Sequence, residues 1–499
     1  MFSMLTSDAS AFKFDVLVEV AKEAFQGNLK EESVNAMAHN LVSLGGQRYR
    51  CCVYKEREVL RQRVRLAMGK MANDAQEYKP KQIVQVIDAA CDGCTIQKIQ
   101  VTDNCRKCMK KACLAACNFG AISMGETRSQ IDHDKCKECG ACARACPYHA
   151  IVITDRPCYE ACPVQAISWN EANICQIDES RCINCGACLM NCPFGAISDM
   201  SWVAPIIKEL NSKRESYAIV APSIQGQFEN CTLGQIVKSI EALGFTKCIE
   251  VAGGADAVAL TEAEELIKHK ESGLPMTTSC CTGFVNMLKI HFPEQYEKNK
   301  STTVTPMIAT ARKVKHDHPG AMVVFIGPCV AKKQEAMEEV SACDYVLTFE
   351  EIMAMLMAKG IDVEEMPSDE PLTASNYGRN FAASGGVAAA VIEAAKEVGY
   401  DKPITTVVAN GGKECRMQLN LIKFNRFKAD ILEGMACPGG CVAGPAVISQ
   451  PTLVKGRMVK ENIGNKARTI KDSLNDTSYE DIDMDVRHKF EDIVKNANK

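Results

Sequence analysis

Met435-Ala436-Cys437-Pro438-Gly439-Gly440-Cys441 is the stretch from which this chain is best read. Two cysteines four residues apart, with a Gly-Gly step before the second, let backbone come close to something bulky. Two earlier segments complete a set: Thr278-Ser279-Cys280-Cys281 and Gly327-Pro328-Cys329-Val330-Ala331-Lys332-Lys333. Cys281, Cys329, Cys437 and Cys441 would supply four thiolates, the usual complement of a cubane iron–sulfur cluster.

The rest of the composition agrees. The chain has 499 residues, 28 of them cysteine, with a net charge of -4. Its cysteines recur two to four residues apart, a spacing that holds metal more readily than it closes disulfides. No clustered basic face argues for nucleic acid. Met1–Phe25 has no basic start followed by an apolar core, and no run of about 18 apolar residues argues for a membrane span. The expectation is a cytoplasmic protein in a reducing, anaerobic compartment.

Four regions are expected. Residues 1–85 form a helical N-terminal region, with apolar positions at helical spacing in Phe12–Phe25 and Tyr54–Met71; the adjacent Cys51 and Cys52 read as packing residues. Residues 86–199 are a tandem ferredoxin-like domain. Cys136-Lys137-Glu138-Cys139-Gly140-Ala141-Cys142-Ala143-Arg144-Ala145-Cys146-Pro147 is a ferredoxin run, and Cys182, Cys185, Cys188 and Cys192-Pro193 repeat it. In such runs three thiolates bind one cluster and the fourth reaches the neighbouring one. Cys105, Cys108 and Cys113 then pair with Cys146, and Cys136, Cys139 and Cys142 with Cys117. Cys162 completes Cys182, Cys185 and Cys188. Cys158 and Cys192 need two more ligands, for which Cys91 and Cys94 are the natural donors and Cys175 the competitor; zinc is the alternative occupant at Cys91 and Cys94. Three to four accessory 4Fe–4S clusters follow.

Residues 200–460 read as an α/β domain, with buried-type strands at Tyr217–Pro222, Cys248–Ala252, Ala321–Ile326 and Thr405–Ala409. The motif cysteines fall in the loops after such strands, where α/β sheets present cofactors. Residues 461–499 are expected to be a helical C-terminal tail. Ser384-Gly385-Gly386-Val387 reads as tight helix packing, not a phosphate loop.

The three cysteine segments resemble, in order, the signature loops of the FeFe (iron-only) hydrogenases. The departures (Gly327, Thr282-Gly283-Phe284, and Val442-Ala443-Gly444-Pro445), with ferredoxin-type modules at the N-terminal side, are similar to the group B branch. The resemblance implies an α/β iron-hydrogenase fold beside α+β ferredoxin-like modules. It implies an H-cluster: a 4Fe–4S cubane on Cys281, Cys329, Cys437 and Cys441, bridged through Cys441 to a two-iron subcluster with CO, CN and azadithiolate ligands. Pro222, Ser223, Met435 and Gly440 would line the cofactor, with Ser223 and Lys332 donating to its cyanides. Cys280 would relay protons, continued by Glu262, Ser301 and Glu265, with Glu264 competing for a place in that path. The implied activity is reversible proton reduction to hydrogen. Ferredoxin or a similar carrier would exchange electrons, and maturation proteins would insert the two-iron unit. A hydrogen sensor with slow turnover and a non-catalytic iron–sulfur assembly protein are the rival readings.

Overall fold

A computed structural model describes residues 7–492, apart from 45, 47, 74–81, 95–96, 340, 369–372, 465–467 and 491. The α/β region is built on two parallel sheets. One has four strands in the order Lys247–Glu250, Ser216–Val220, Met322–Ile326, Tyr345–Leu347. The other has three, Met276–Thr277, Ile431–Met435 and Thr406–Asn410, with Ile431–Met435 in the centre. All their pairings are parallel. Ser216–Val220 and Met322–Ile326 are buried at every position, which is why they read as continuous apolar runs and not as alternating ones. Tyr345–Leu347, the two-residue strand Met276–Thr277 and the central strand Ile431–Met435 were not expected; the first two are too short to show a period.

Helices cover the sheets. Ala252–Ser272 runs for 21 residues and packs against Gly386–Glu397 and Pro306–Asp317. Its first turns, Ala252-Gly253-Gly254-Ala255, are small because neighbours press on them. A β-carbon on Gly254 would lie 2.2 Å from the Thr310 hydroxyl oxygen. The expected boundary at 460 falls inside the helix Pro451–Gly464. Beyond it the chain still belongs to this body. Buried Arg312 donates to the carbonyl oxygens of Asp483, Asp485 and His488, and Val304 N–H donates to Met484 O.

The cysteine-rich region is nested. Its strands form hairpin-like pairs: Ile122–Met124 with Ser129–Ile131, and Ile167–Trp169 with Cys175–Ile177, each antiparallel. The two pairs have the same register, Ser129 facing Met124 and Cys175 facing Trp169. Cys113-x3-Cys117 before the first pair therefore corresponds to Cys158-x3-Cys162 before the second. Ile99–Val101 pairs with Ile151–Ile153, closing the first module on itself. Val84–Val86 pairs with Ile197–Asp199, closing the second module around it. The first module is an insertion between Cys94 and Cys158 of the second.

The N-terminal helices Asp8–Phe25, Ser33–Leu41 and Val53–Ala67 brace both parts. A buried ion network fastens them. Asp199 accepts from Lys13 Nζ at 2.8 Å and Lys333 Nζ at 2.6 Å. Lys13 also reaches Glu350 at 2.7 Å, and Lys333 reaches Glu351 at 2.8 Å and Met200 O at 2.7 Å. The two ammonium groups hold the Asp199 carboxyl well below its usual range, against the opposing effect of burial.

Removing one member of a buried ion network leaves its partners desolvated and undercompensated, at about 3–5 kcal/mol. Asp199→Ala is therefore expected to lower the thermal unfolding midpoint strongly. Lys22→Ala, which breaks the exposed Lys22–Glu19 pair, should leave it nearly unchanged. Equal effects from the two substitutions would show that the network is not a fastening.

Candidate cofactor site and proton path

The cysteine segments converge because each follows a parallel strand. Cys280 and Cys281 come after Met276–Thr277, Cys329 after Met322–Ile326, and Cys437 after Ile431–Met435. The carboxyl ends of two sheets thus face one space. Helix Thr282–His291 starts directly behind Cys281, and Ala331–Glu338 starts two residues behind Cys329. Neither has a side-chain cap, so their positive N-terminal ends favour negative charge among the thiols. Ala436 N–H donates to Cys281 Sγ at 3.4 Å. Burial pushes Cys329 up to about 11 and raises Cys437 and Cys441 as well. A metal that takes the place of the proton would offset this burial cost.

Beside these thiols lies a cavity of about 70 Å³, lined among others by Ser223, Cys280, Cys281, Lys332, Met435 and Cys441. The fully buried Ser223 hydroxyl oxygen has no partner among the described atoms. A buried polar group in a folded protein ordinarily has one. An acceptor in this cavity would supply it, which is the test that a cofactor with polar outer ligands passes here. Pro222 is in the same wall. Gly440 has φ 90°, and a β-carbon there would lie 2.6 Å from Ser384 N and 2.8 Å from Ala382 O; only glycine fits.

Lys332 Nζ donates to Glu335 Oε2 at 2.7 Å. Burial opposes its charge, but Glu335 more than offsets this and the lysine is raised above its usual range. Glu335 also accepts from the Thr282 and Thr305 hydroxyls. Sequence reasoning missed Glu335, although its place three residues after Lys332 on one helix was the available signal. A larger cavity of about 300 Å³ is lined by Ser279, Lys300 and Glu335 among others, and by none of the four motif cysteines. Its polar lining makes it a place for water.

Cys280 sits between the thiols and a carboxylate path. Burial, and then the neighbouring Glu262, raise it well above its usual value, so it is held as the thiol. Glu262 is fully buried on Ala252–Ser272 and accepts from Ser279 N–H and from the Ser279 hydroxyl, both at 2.8 Å. Burial pushes its carboxyl up to about 7 despite those bonds. The Ser301 hydroxyl donates to Glu265 Oε2 at 2.5 Å and lies near Glu262, whose Oε2 has no hydrogen-bond partner among the described atoms. Glu265 is further held by Thr302 and Thr303. The structure thus strings Cys280, Glu262, Ser301 and Glu265 in order, and turns Glu264 to the surface. Sequence reasoning did not find Ser279, the residue that fixes Glu262.

The accessory cysteines also group. One void is bounded by Cys105, Cys108, Cys113 and Cys146, a second by Cys117, Cys136, Cys139 and Cys142, and a third by Cys162, Cys182, Cys185 and Cys188. Cys91, Cys94, Cys158 and Cys192 influence one another electrostatically as neighbours. Among the described residues no three His, Cys, Asp or Glu side chains converge as they would around a single ion; these cysteines stand around spaces instead. Cys175 is also near the last group, its N–H donating to Cys91 Sγ at 3.3 Å.

The third void adjoins the motif cysteines. Cys185 acts on Cys437 and Cys329. Two glycines permit the contact: a β-carbon on Gly186 would lie 2.7 Å from Pro445, and one on Gly283 would lie 3.0 Å from Ala436 and 3.5 Å from Cys185. Gly434 likewise makes room for Phe284, whose ring a β-carbon would meet at 2.4 Å.

Residues 214–445 match the family described as iron only hydrogenase large subunit, C-terminal domain. Just under half of the chain therefore carries the catalytic-domain family of the iron-only hydrogenases. It is an oxidoreductase of the hydrogenase type. Residues 156–196 match a 4Fe–4S dicluster domain and residues 129–152 a 4Fe–4S binding domain. The chain is 28% identical over 372 residues to the periplasmic Fe hydrogenase large subunit of Nitratidesulfovibrio vulgaris, covering 63% of this chain and 85% of that one. It is 29% identical over 305 residues to iron hydrogenase 1 of Clostridium pasteurianum, covering 50% of this chain and 53% of that one. An apo FeFe-hydrogenase structure from Chlamydomonas reinhardtii has 20% identity and a TM-score of 0.45, covering 55% of this chain and 92% of that one. Among the described residues no helix is long and apolar enough to cross a membrane.

Glu262 gives this region a pH signature. The native carboxyl keeps its proton to about 7, whereas the unfolded one loses it near 4.3. Between those values the native state binds more protons, so raising the pH costs stability, by roughly 4 kcal/mol in all at about 1.4 kcal/mol per unit. Glu262→Gln removes this dependence. The difference in thermal midpoint between Glu262→Gln and wild type is expected to move in the variant's favour from about pH 5 to about pH 8. A pH-independent difference would show that Glu262 is ionised in the native protein throughout.

Proposed function

We propose that the chain catalyses the interconversion of protons and electrons with molecular hydrogen at an H-cluster. Cys281, Cys329, Cys437 and Cys441 would hold the cubane, with Cys441 shared with the two-iron unit. When bound, that unit supplies the site at which hydrogen is formed or split. The observation that carries the reading is the shared wall of one cavity. Cys281, Cys441, Cys280, Lys332 and the unpartnered Ser223 hydroxyl all face it.

The chain's own residues then have distinct tasks. Lys332, kept charged by Glu335, and Ser223 donate hydrogen bonds to anionic ligands of the cofactor, where charge-assisted bonds are strongest. Met435 and Pro222 exclude water. Cys280 hands a proton between the cavity and Glu262, a group whose proton affinity lies near neutral pH, as efficient transfer requires. Ser301 and Glu265 carry it outward. Electrons enter through the ferredoxin-like modules. The set Cys162, Cys182, Cys185 and Cys188 is the last stop before Cys437, because Gly186 and Gly283 allow the closest approach there. Three accessory 4Fe–4S clusters occupy the voids described above, and a fourth takes Cys91, Cys94, Cys158 and Cys192. A ferredoxin or similar carrier is the external partner, and maturation proteins deliver the two-iron unit.

The test is infrared spectroscopy of anaerobically matured protein, with hydrogen evolution assayed on the same sample. Carbonyl and cyanide bands with turnover are expected. Cys280→Ala should leave the bands in place and cut turnover by about 100-fold or more. Absence of the bands after maturation that succeeds for a control hydrogenase would remove the reading.

A further inference from the structure

Five thiols, not four, surround the fourth accessory site, and the nested duplication says what the fifth does. Position 129 in the inserted module corresponds to position 175 in the outer one, because each opens the second strand of its pair in the same register. Ser129 N–H donates to Cys105 Sγ at 3.5 Å, and the Ser129 hydroxyl lies at hydrogen-bonding distance, 3.5 Å, from the same sulfur. Cys175 N–H donates to Cys91 Sγ at 3.3 Å. Cys105 and Cys91 are themselves equivalent, each the first cysteine of its module's leading Cys-x2-Cys pair. The Cys175 side chain is 4% exposed, and its thiol neighbours that of Cys158, the counterpart of Cys113. Strand pairing fixes the backbone of 175, and its peptide N–H is already committed to a neighbouring thiol.

We infer that Cys175 is not a cluster ligand but a buried neighbour of ligand sulfurs, its N–H donating to Cys91 and its thiol set beside Cys158, in the place that Ser129 holds at the Cys105 cluster. This rests on the ligand sets proposed above. Hydrogen bonds to cluster sulfurs favour the reduced, more negative state and raise the potential. A thiol is a weaker donor than a hydroxyl. The two equivalent clusters would therefore differ in potential through this one exchange, serine in the inserted module and cysteine in the outer one. Cys175 is a positioning residue and takes no part in the proton chemistry.

The test uses the full chain with its iron–sulfur clusters reconstituted anaerobically, read by iron and acid-labile sulfide content and by potentiometric titration of the cluster signals in electron paramagnetic resonance. Cys175→Ala is expected to keep the full iron content while one midpoint potential moves negative. Cys175→Ser should keep the iron content and move the same midpoint positive of wild type. Ser129→Ala should move a different midpoint negative, an effect independent of how well position 175 tolerates change. Loss of one cluster's iron in Cys175→Ala, with the other signals intact, would make Cys175 a ligand and overturn the inference. Unchanged midpoints in both position-175 variants would overturn it too. If Cys175→Ala does not fold, Cys175→Ser decides by the same midpoint. If the wild type lacks the fourth cluster's iron, it is the proposed ligand set that fails, and the Ser129→Ala result still reports on the equivalent donor.

Discussion

The Asp199 carboxylate between Lys13 and Lys333 is the interaction on which the arrangement of this molecule turns. It lies at the end of the last ferredoxin-like strand, Lys13 on the first helix, and Lys333 one residue beyond the lysine at the cofactor cavity. Three regions distant in sequence are tied at one buried point. Charges in such a place are costly unless every one is matched. Glu350, Glu351 and the Met200 carbonyl do the matching. Only one docking of the modules satisfies all of them. Because Lys333 is pinned on one side of its helix, Lys332 is turned to the other, toward the cavity.

That docking lets the modules meet without a gap. Gly186 and Gly283 are small where the third void faces the motif cysteines, and Pro445 and Ala436 occupy the space a side chain would need. Pro445 belongs to the segment that departs from the commonest family pattern, and the departure has a partner here. Phe284 and Gly434 are a second such pair: the ring fits because the strand beneath it has no β-carbon.

Acid–base character is distributed by burial. The same desolvation that raises Glu262 to about 7 raises the Cys280 thiol, and it opposes the charge of Lys332, which Glu335 more than offsets. A carboxyl raised toward neutrality, a thiol raised further and a charged lysine lie close together because each has a different neighbour. Glu262 and Glu265 lie a turn apart on the long helix Ala252–Ser272, and the Ser301 hydroxyl donates to Glu265.

The sequence alone determined the cysteine chemistry. The spacing of Cys-x2-Cys-x2-Cys-x3-Cys-Pro is a local property, and so are the alternation of apolar runs with turns and the three motif segments. From these the α/β fold, the ferredoxin-like modules and the three voids bounded by four cysteines each were legible. Cys280, Lys332, Ser223 and the Glu262–Ser301–Glu265 path came from the resemblance that those segments carry. Tertiary structure decided what depends on contacts between distant residues. It set the choice of Glu262 over Glu264, which rests on which side of a helix is buried. It brought in Glu335 and Ser279, which act only through partners far along the chain. It ran the C-terminal segment through the α/β body, held by Arg312. It also nested one module inside the other: Cys91 and Cys94 lie more than sixty residues before Cys158, and only strand pairing returns the chain to them. Spacing can announce a ligand, but the folded sheet determines which ligands share a site.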